Sequence, residues 1–380
     1  MILIAAAPLL IWIYLLAARG GFWLMRERDD TGDDCPPAGT WPSVVVIVPA
    51  RNEADVIASS IGSLLAQDYP GNFRIVLVDD RSSDGTADVA RHSVSASDHN
   101  RFEVISGQER PAGWTGKVWA MRQGFARALE TDLPDYVLFT DADIAHTPEN
   151  LRKLVLRAKN GRRVLVSLMA KLHCESFAEK FLIPAFVFFF AMLFPFAWSN
   201  DPSRKMAAAA GGCMLVRRDA LVAAGGLDRI AREIIDDCAL ALILKEQGPI
   251  WLGLTHRAIS IRPYQGFGDI GGMVARSAYA QLGYSPLILC GTLLGMAIVY
   301  LAPPLIACFA GWPALTLGAV AWLLMVLAFQ PMLRFYRLSP LWGPLLPVIG
   351  ACYTLFTMNS ALQYWRGRGG MWKGRAQAIA

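Results

Sequence analysis

The sequence predicts an α/β protein: a doubly wound, mainly parallel sheet, with an N-terminal membrane anchor and C-terminal transmembrane helices. Three observations carry this. Strand and helix patterns take strict turns between residues 44 and 169. Several of the strands end in short polar runs containing acids. The apolar residues are concentrated outside this stretch, in a chain of 380 residues that is 54% hydrophobic and only 18% charged.

Residues 2–18 are apolar without a single charge, and Arg19, Arg26 and Arg28 follow. A cleaved leader carries its positive charge before the apolar core, so the reversed order reads as an uncleaved anchor, residues 1–28, with its C-terminal side in the cytoplasm. Residues 29–42 are polar and rich in Pro and Gly, a linker. Residues 44–48 form a β-branched run, the mark of a strand buried on both faces. Helix is expected at 53–67, strand at 74–78, helix from 86 to 93 and a short strand at 102–105. A helix at 118–130, a strand at 136–140, a helix at 150–159 and a strand at 164–169 complete the alternation. Such strict alternation argues for parallel strands joined by crossover helices.

Residues 181–198 are strongly apolar but broken by Pro184 and Pro195, and read as an interfacial segment within a soluble domain of 43–283. Three apolar blocks at about 286–310, 312–333 and 341–362 are each long enough to cross a bilayer, placing transmembrane helices at 286–364. A basic tail, 365–380, carries Arg366, Arg368, Lys373 and Arg375. With all three blocks crossing, that tail lies opposite a cytoplasmic domain, against the positive-inside tendency. Either one block does not cross, or 181–198 does.

Composition excludes some classes of function. The net charge of +5 has no Lys/Arg run long enough for a nucleic-acid arm, so no nucleic-acid partner is expected. The seven cysteines are scattered and form no C-x-x-C pair, which argues against a zinc site or a disulfide framework.

The first strand ends in Pro49-Ala50-Arg51-Asn52-Glu53. Ligands of open α/β sheets bind at the carboxyl ends of strands, where this turn lies, although an ordinary turn with Asn52 as helix cap explains it equally well. The second strand ends in Asp79-Asp80, whose carboxylates suit a base N–H and ribose hydroxyls, with Asp84 and Thr86 as capping residues of the next helix. The fourth ends in Asp141-Ala142-Asp143. Alternate residues of an extended segment point the same way, so both carboxylates can reach one divalent cation clamping a diphosphate. A bare D-x-D is weak evidence; following an apolar strand, as one of a series of strand-end carboxylates, makes it stronger. Lys117 precedes a helix and is placed to touch a phosphate, or is a plain exposed lysine. Gly211-Gly212 permits close backbone approach, or simply turns the chain. Asp236-Asp237 opens a helix, where its dipole favours acids in any case; one of the two is a candidate base. Arg276 is a candidate phosphate ligand or a headgroup-level arginine. Arg262-Pro263-Tyr264 also lies just before the first C-terminal apolar block.

Taken in order, PARNE at 49–53, VDDRSSDGT at 78–86, DAD at 141–143, GGCMLVRRDAL at 211–221 and IIDDCAL at 234–240 resemble the inverting processive and lipid-linked glycosyltransferases of family 2, which have the GT-A fold. Within that family, GWTGKVWA at 113–120, RPYQGFGD at 262–269, ARSAYAQLGYSP at 275–286 and WRGRGGMWKGR at 365–375 resemble the bacterial hopene-associated enzymes related to ceramide glucosyltransferases. The resemblance spans about 44–281.

It implies a nucleotide-sugar donor, a UDP-sugar before others, and a membrane lipid acceptor, with a hopanoid among the options. It implies that Ala50, Glu53 and Asp80 contact the nucleoside, with Lys117 close by; together with Pro49, Asp79, Asp141, Gly211, Gly212 and Arg276 these are the candidate nucleotide-sugar-binding residues. Asp143, with Asp141, would hold Mg²⁺ or Mn²⁺, and Asp237, beside Asp236, would be the general base. The expected location is a bacterial inner membrane, multi-pass, with the catalytic domain facing the cytoplasm. Two departures stand out. The family's Glu-Asp pair is Asp236-Asp237 here, and its Q-x-x-R-W motif is matched only at Arg276. A processive polysaccharide synthase would keep that Trp, so single transfer to a lipid is favoured. An inactive nucleotide-sugar-binding scaffold has no need of a base, and a nucleotidyltransferase would carry a glycine-rich basic loop where PARNE stands.

Overall fold

The computed structural model describes residues 2–30 and 40–371. Most of the expected linker, including Cys35, and the last part of the basic tail, with Lys373 and Arg375, lie outside the described residues.

The chain divides into two compact units. One, the helical unit, comprises Met1–Arg26, Cys174–Ala197 and Pro263–Ala380; the other, the sheet unit, comprises Glu27–His173 and Trp198–Arg262. Helix α1 (Ile2–Ala18) opens the helical unit. The sheet unit follows with β1 (Val44–Ala50), α2 (Ile57–Leu65), β2 (Phe73–Asp79), α3 (Thr86–His92), β3 (Phe102–Ser106) and α4 (Gly116–Thr131). It continues with β4 (Tyr136–Thr140), β5 (Ile144–His146), α5 (Asn150–Asn160) and β6 (Leu165–Lys171). The chain visits the helical unit for α6 (Phe177–Leu193), then forms the short α7 (Phe196–Asn200). Strand β7 (Cys213–Arg217), α8 (Arg218–Ala223), α9 (Asp236–Lys245) and β8 (Ile250–Ser260) complete the sheet unit. Helices α10 (Phe267–Gln281), α11 (Pro286–Met296), α12 (Ala302–Phe309), α13 (Ala314–Phe335) and α14 (Leu346–Trp365) complete the helical unit.

All seven residues of β1 are buried because helices cover both faces. Val44, Val46 and Val48 join the core of Ile57, Ile61 and Leu64 from α2. Val45 and Ile47 join Val118, Met121 and Phe125 from α4 with Leu240 and Leu244 from α9. Each such fully buried aliphatic side chain contributes roughly 1.5–3 kcal/mol, which is why a β-branched run is stable here and nowhere on the surface. Helix α4 packs tightly through Gly124, where a Cβ would meet Ile47 Cγ2 at 2.5 Å.

The sheet order is β3-β2-β1-β4-β7-β6-β8-β5. Its first half, β3-β2-β1-β4, is wholly parallel, as the alternation requires. In the second half only β6 and β8 are parallel; β7 runs antiparallel to β4 and β6, and β5 antiparallel to β8. The sheet is therefore mixed, parallel in four of its seven pairings. Strands β5 and β8 are absent from the sequence expectation. The alternative reading of Asn52 as a helix cap does not hold, and the helix expected from 53 is shorter: α2 begins only at Ile57. Asn52 instead adopts φ 51° and its side chain accepts from Ser83 N at 2.9 Å.

Within the helical unit, α6 runs straight through Pro184 and starts on a capping box formed by Ser176 and Glu179. Its Phe188 packs on Phe22 and Phe329, and Phe189 on Tyr300 and Tyr353. Trp12 of α1 donates to Val299 O at 2.9 Å. Three helical stretches, Pro286–Phe309, Ala314–Phe335 and Pro340–Trp365, are long and apolar enough to cross a membrane.

Candidate active site

Topology decides which strand ends meet. Strands β1, β2 and β4 are parallel, so Ala50, Asp79 and Thr140 finish at one edge of the sheet. Because β7 is antiparallel, it is its entrance that lies there: Cys213 pairs with Thr140, which brings Gly211 and Gly212 beside Asp141. The antiparallel β5–β8 pair sets Ile144 against Ser260, and Ile261 N donates to Asp143 O at 2.9 Å.

Two turns close the first side of this edge. Asn52 N donates to Ser82 Oγ at 3.0 Å, Glu53 N to Thr86 Oγ1 at 2.8 Å and Ala54 N to Asp84 Oδ2 at 3.0 Å. Pro49 and Ala50 thereby end a strand that is locked to the Asp79-Asp80 turn. Asp80 is fully buried, its N–H donating to Ala50 O and its carbonyl accepting from Arg51. At the end of β3, Gly107 N donates to Asp79 O at 2.8 Å.

The central cluster is built on Lys117, the second residue of α4. Its Nζ lies 2.7 Å from Asp141 Oδ1 and 3.6 Å from Asp236 Oδ2. Burial works against the ammonium, but the Asp141, Asp236 and Asp237 carboxylates more than offset it and hold the Lys117 pKa above its ordinary value. Asp237 Oδ2 accepts from Gly211 N at 2.9 Å, and Oδ1 from Cys238 N at 2.8 Å. Burial, and then the neighbouring Asp236, push Asp237 up to about 6, with Lys117 pulling the other way. Position 211 is tight: a Cβ would sit 3.0 Å from Lys117 Nζ and 3.5 Å from Asp237 Oδ2.

A second cluster lies at the end of β8. Arg262 binds Glu53 directly, Asp55 Oδ2 at 2.8 Å, and has its Nε 3.7 Å from Asp143 Oδ2. Ser260 Oγ is 3.4 Å from the same Asp143 oxygen. Behind both clusters, Thr140 Oγ1 donates to Gly212 O at 2.8 Å and contacts His146 Nε2 at 2.9 Å, while Asn150 Nδ2 lies 2.8 Å from His146 Nδ1. Thr140 spends its proton on Gly212, so His146 carries its own on Nε2 and accepts on Nδ1. Burial lowers the His146 pKa to about 4.

Among the described residues, no group of three or more His, Cys, Asp or Glu side chains could hold a metal alone. Asp141 and Asp143 do supply hard oxygen donors, and their side chains are 35% and 25% exposed. Two carboxylates completed by diphosphate oxygens would suit Mg²⁺ or Mn²⁺.

Lys117, Asp141, Gly211, Asp236 and Asp237 thus come together in space, and Asp143, Glu53 and Arg262 do so beside Ser260. Arg276 lies on α10 of the helical unit. Arg51, Asp55, Ser260 and His146 were not among the expected site residues. Ser260 follows no motif; Arg262 stood out for its place before the apolar blocks and as the first residue of RPYQGFGD, with no site role attached.

Residues 45–223 match the family model described as glycosyl transferase family 2. That stretch is just under half of the chain, and over it the chain is similar to the family 2 glycosyltransferases. An N-acetylglucosaminyltransferase of Mesorhizobium japonicum is 29% identical over 153 residues, covering 40% of this chain and 34% of that protein. The first curated relatives are therefore matched over only about a third of their length or less. A probable glycosyltransferase of Bacillus subtilis, YdaM, is 28% identical over 239 residues, 58% of this chain and 52% of that one. Among solved structures, a mannosyltransferase from Pyrobaculum calidifontis, in complex with GDP-Man and Mn²⁺, has a TM-score of 0.55 at 21% identity, covering 93% of this chain and 99% of that one. At that identity the likeness is one of fold.

Proposed function

We infer that this chain transfers a single sugar from a nucleotide-sugar to a hydroxyl of a membrane lipid, with inversion at the anomeric carbon. The observation that carries this reading is Asp237: a half-buried carboxylate, oriented by Gly211 N and placed beside the Lys117–Asp141 pair. With its pKa near 6, it is largely ionised at neutral pH yet basic enough to take a proton.

The acceptor oxygen loses its proton to Asp237 and attacks the anomeric carbon. The carbon–oxygen bond to the diphosphate breaks on the opposite face, which inverts the centre. Pro49, Ala50, Asp79 and Asp80 line the nucleoside end, with Glu53 beside them. Lys117 and Gly212 face the diphosphate, and Arg276 is a further candidate phosphate ligand. Asp143 and Asp141 would hold Mg²⁺ or Mn²⁺, which neutralises charge on the departing diphosphate. The Mn²⁺ and GDP-Man of the Pyrobaculum mannosyltransferase support a divalent ion and a nucleotide-sugar here. A UDP-sugar remains the favoured donor from the family resemblance.

Three helices able to cross a membrane support a lipid acceptor. Arg19, Arg26 and Arg28 after α1 favour the cytoplasmic face of a bacterial inner membrane for the catalytic residues. The hopanoid class of acceptor rests on resemblance.

The test is release of UDP or GDP from a panel of nucleotide-sugars by the detergent-purified chain, with Mn²⁺ or Mg²⁺ and lipid extracts including hopanoids. Metal- and lipid-dependent release, lost in Asp143→Ala and Asp237→Asn, is the expected result. Donor binding without release in any lipid would replace this reading with that of a binding scaffold.

A further inference from the structure

We propose that Arg262 is the resting counter-ion of the carboxylates that hold the divalent cation, and that it makes cation binding conditional on the donor's diphosphate. This rests on the metal-dependent reading above and adds a residue that neither the family match nor the sequence motifs assign.

Arg262 is the first residue after Ile261, whose N–H is fixed on Asp143 O. Its guanidinium faces Glu53, Asp55 and Asp143 at once. A guanidinium is charged at any ordinary pH, so Arg262 cannot leave the site by losing its proton. Lys117 plays the matching part at Asp141. Both carboxylates of the Asp141-Ala142-Asp143 turn therefore already have a protein cation in place.

A divalent ion arriving alone must compete with Arg262 for Asp143 and then lie beside a fixed like charge. A nucleoside diphosphate removes both obstacles. Its oxygens complete the ion's coordination, and its negative charge satisfies the guanidinium that Asp143 has given up. The ion and the diphosphate consequently bind as one unit, and an ion without nucleotide is held poorly.

The test is Mn²⁺ binding to the purified full chain, followed by loss of the free Mn²⁺ paramagnetic resonance signal, without nucleotide and with UDP or GDP in separate arms. In the native chain the diphosphate should raise Mn²⁺ affinity by about tenfold or more. Arg262→Gln should raise the affinity for Mn²⁺ alone by roughly fivefold or more, as expected when a nearby unit charge is removed, and shrink the gain from nucleotide. Arg262→Lys, which keeps the charge, should behave as the native chain. Arg262→Met, which keeps the apolar stem, replaces the glutamine variant should that one not fold. Unchanged or weaker binding of Mn²⁺ alone by the neutral variants, with normal nucleotide-dependent binding by the native chain, overturns the role of Arg262. Failure of the native chain to bind Mn²⁺ with either nucleotide removes the metal-dependent reading itself, and this inference with it.

Discussion

The two ion-pair clusters of the site use the same chemistry in different surroundings. Around Lys117, Asp236 is buried and Asp141 and Asp237 are partly so, the side chains of Lys117 and Asp236 being 19% and 12% exposed. Around Arg262 the guanidinium is 29% exposed and Asp55 62%. In the first cluster burial and the neighbouring Asp236 raise Asp237 to about 6, although a lysine stands nearby. In the second, solvent shares the charge, and an exposed pair such as Arg262–Asp55 contributes little to stability. Burial, rather than the mere presence of acids and bases, separates a group prepared for proton transfer from one prepared for exchange.

The sharpest way to break that comparison is to neutralise one acid in each cluster. Asp237→Asn should lower turnover by about 10³-fold, within the range for loss of a general base, with little change in the donor KM. Asp55→Asn should change turnover by less than about threefold, because Arg262 keeps Glu53. Steady-state release of the nucleoside diphosphate measures both. Equal losses in the two variants would show that burial does not distinguish the clusters.

How far the sequence foretold this arrangement differs between the halves of the sheet. The parallel half was legible because β1, β2 and β4 are local hydrophobic runs whose ends carry their own polar signals. Asp79-Asp80 and Asp141-Ala142-Asp143 could be placed at one edge from alternation alone. The mixed half was not. That Gly211 meets Asp237, and that Ser260 and Arg262 meet Asp143, depends on the antiparallel registers of β7 and β5. Register over such sequence distances leaves no local pattern. Strand β8 reads IWLGLTHRAIS, whose Gly253, His256 and Arg257 interrupt the apolar run a buried strand would show. Asn52 misled for a related reason: its side chain bonds across to Ser83 on another turn, not to its own helix.

A second prediction sharpens the comparison through pH. The pKa of Asp237 is higher in the folded chain than the ordinary carboxylate value of 3.8, so the folded state binds the extra proton. Stability from this group is present below pH 3.8 and lost as pH rises through about 6. Catalysis has the opposite sense, since the base acts only when ionised: kcat/KM should fall as pH drops through about 6. Asp237→Asn should therefore melt a few degrees above the native chain at pH 8 and level with it near pH 4. Thermal unfolding in detergent at the two pH values measures this; a variant no more stable at pH 8 would mean that Lys117 fully compensates the buried charge.

The smallest effect concerns His146, which supports both clusters without belonging to either. Its neutral ring takes a hydrogen bond from Asn150 and gives one to Thr140, whose own proton holds Gly212 O. His146→Phe takes the partner of the buried Asn150 amide and one of the two at Thr140, and should cost about 2 kcal/mol, seen as a lower melting temperature at neutral pH. Its pKa is depressed from 6.5 to about 4, so the stability it contributes is present above pH 6.5 and lost as pH falls toward 4. That is the reverse of Asp237 in nearly the same window. In the native chain the two slopes oppose one another, and its melting temperature should change little across it. Asp237→Asn should unmask the His146 slope, with stability rising from pH 4 to 6.5, and His146→Phe should unmask the opposite one. Parallel slopes in the two variants would mean that the acid behaviour of the fold is set elsewhere than behind these clusters.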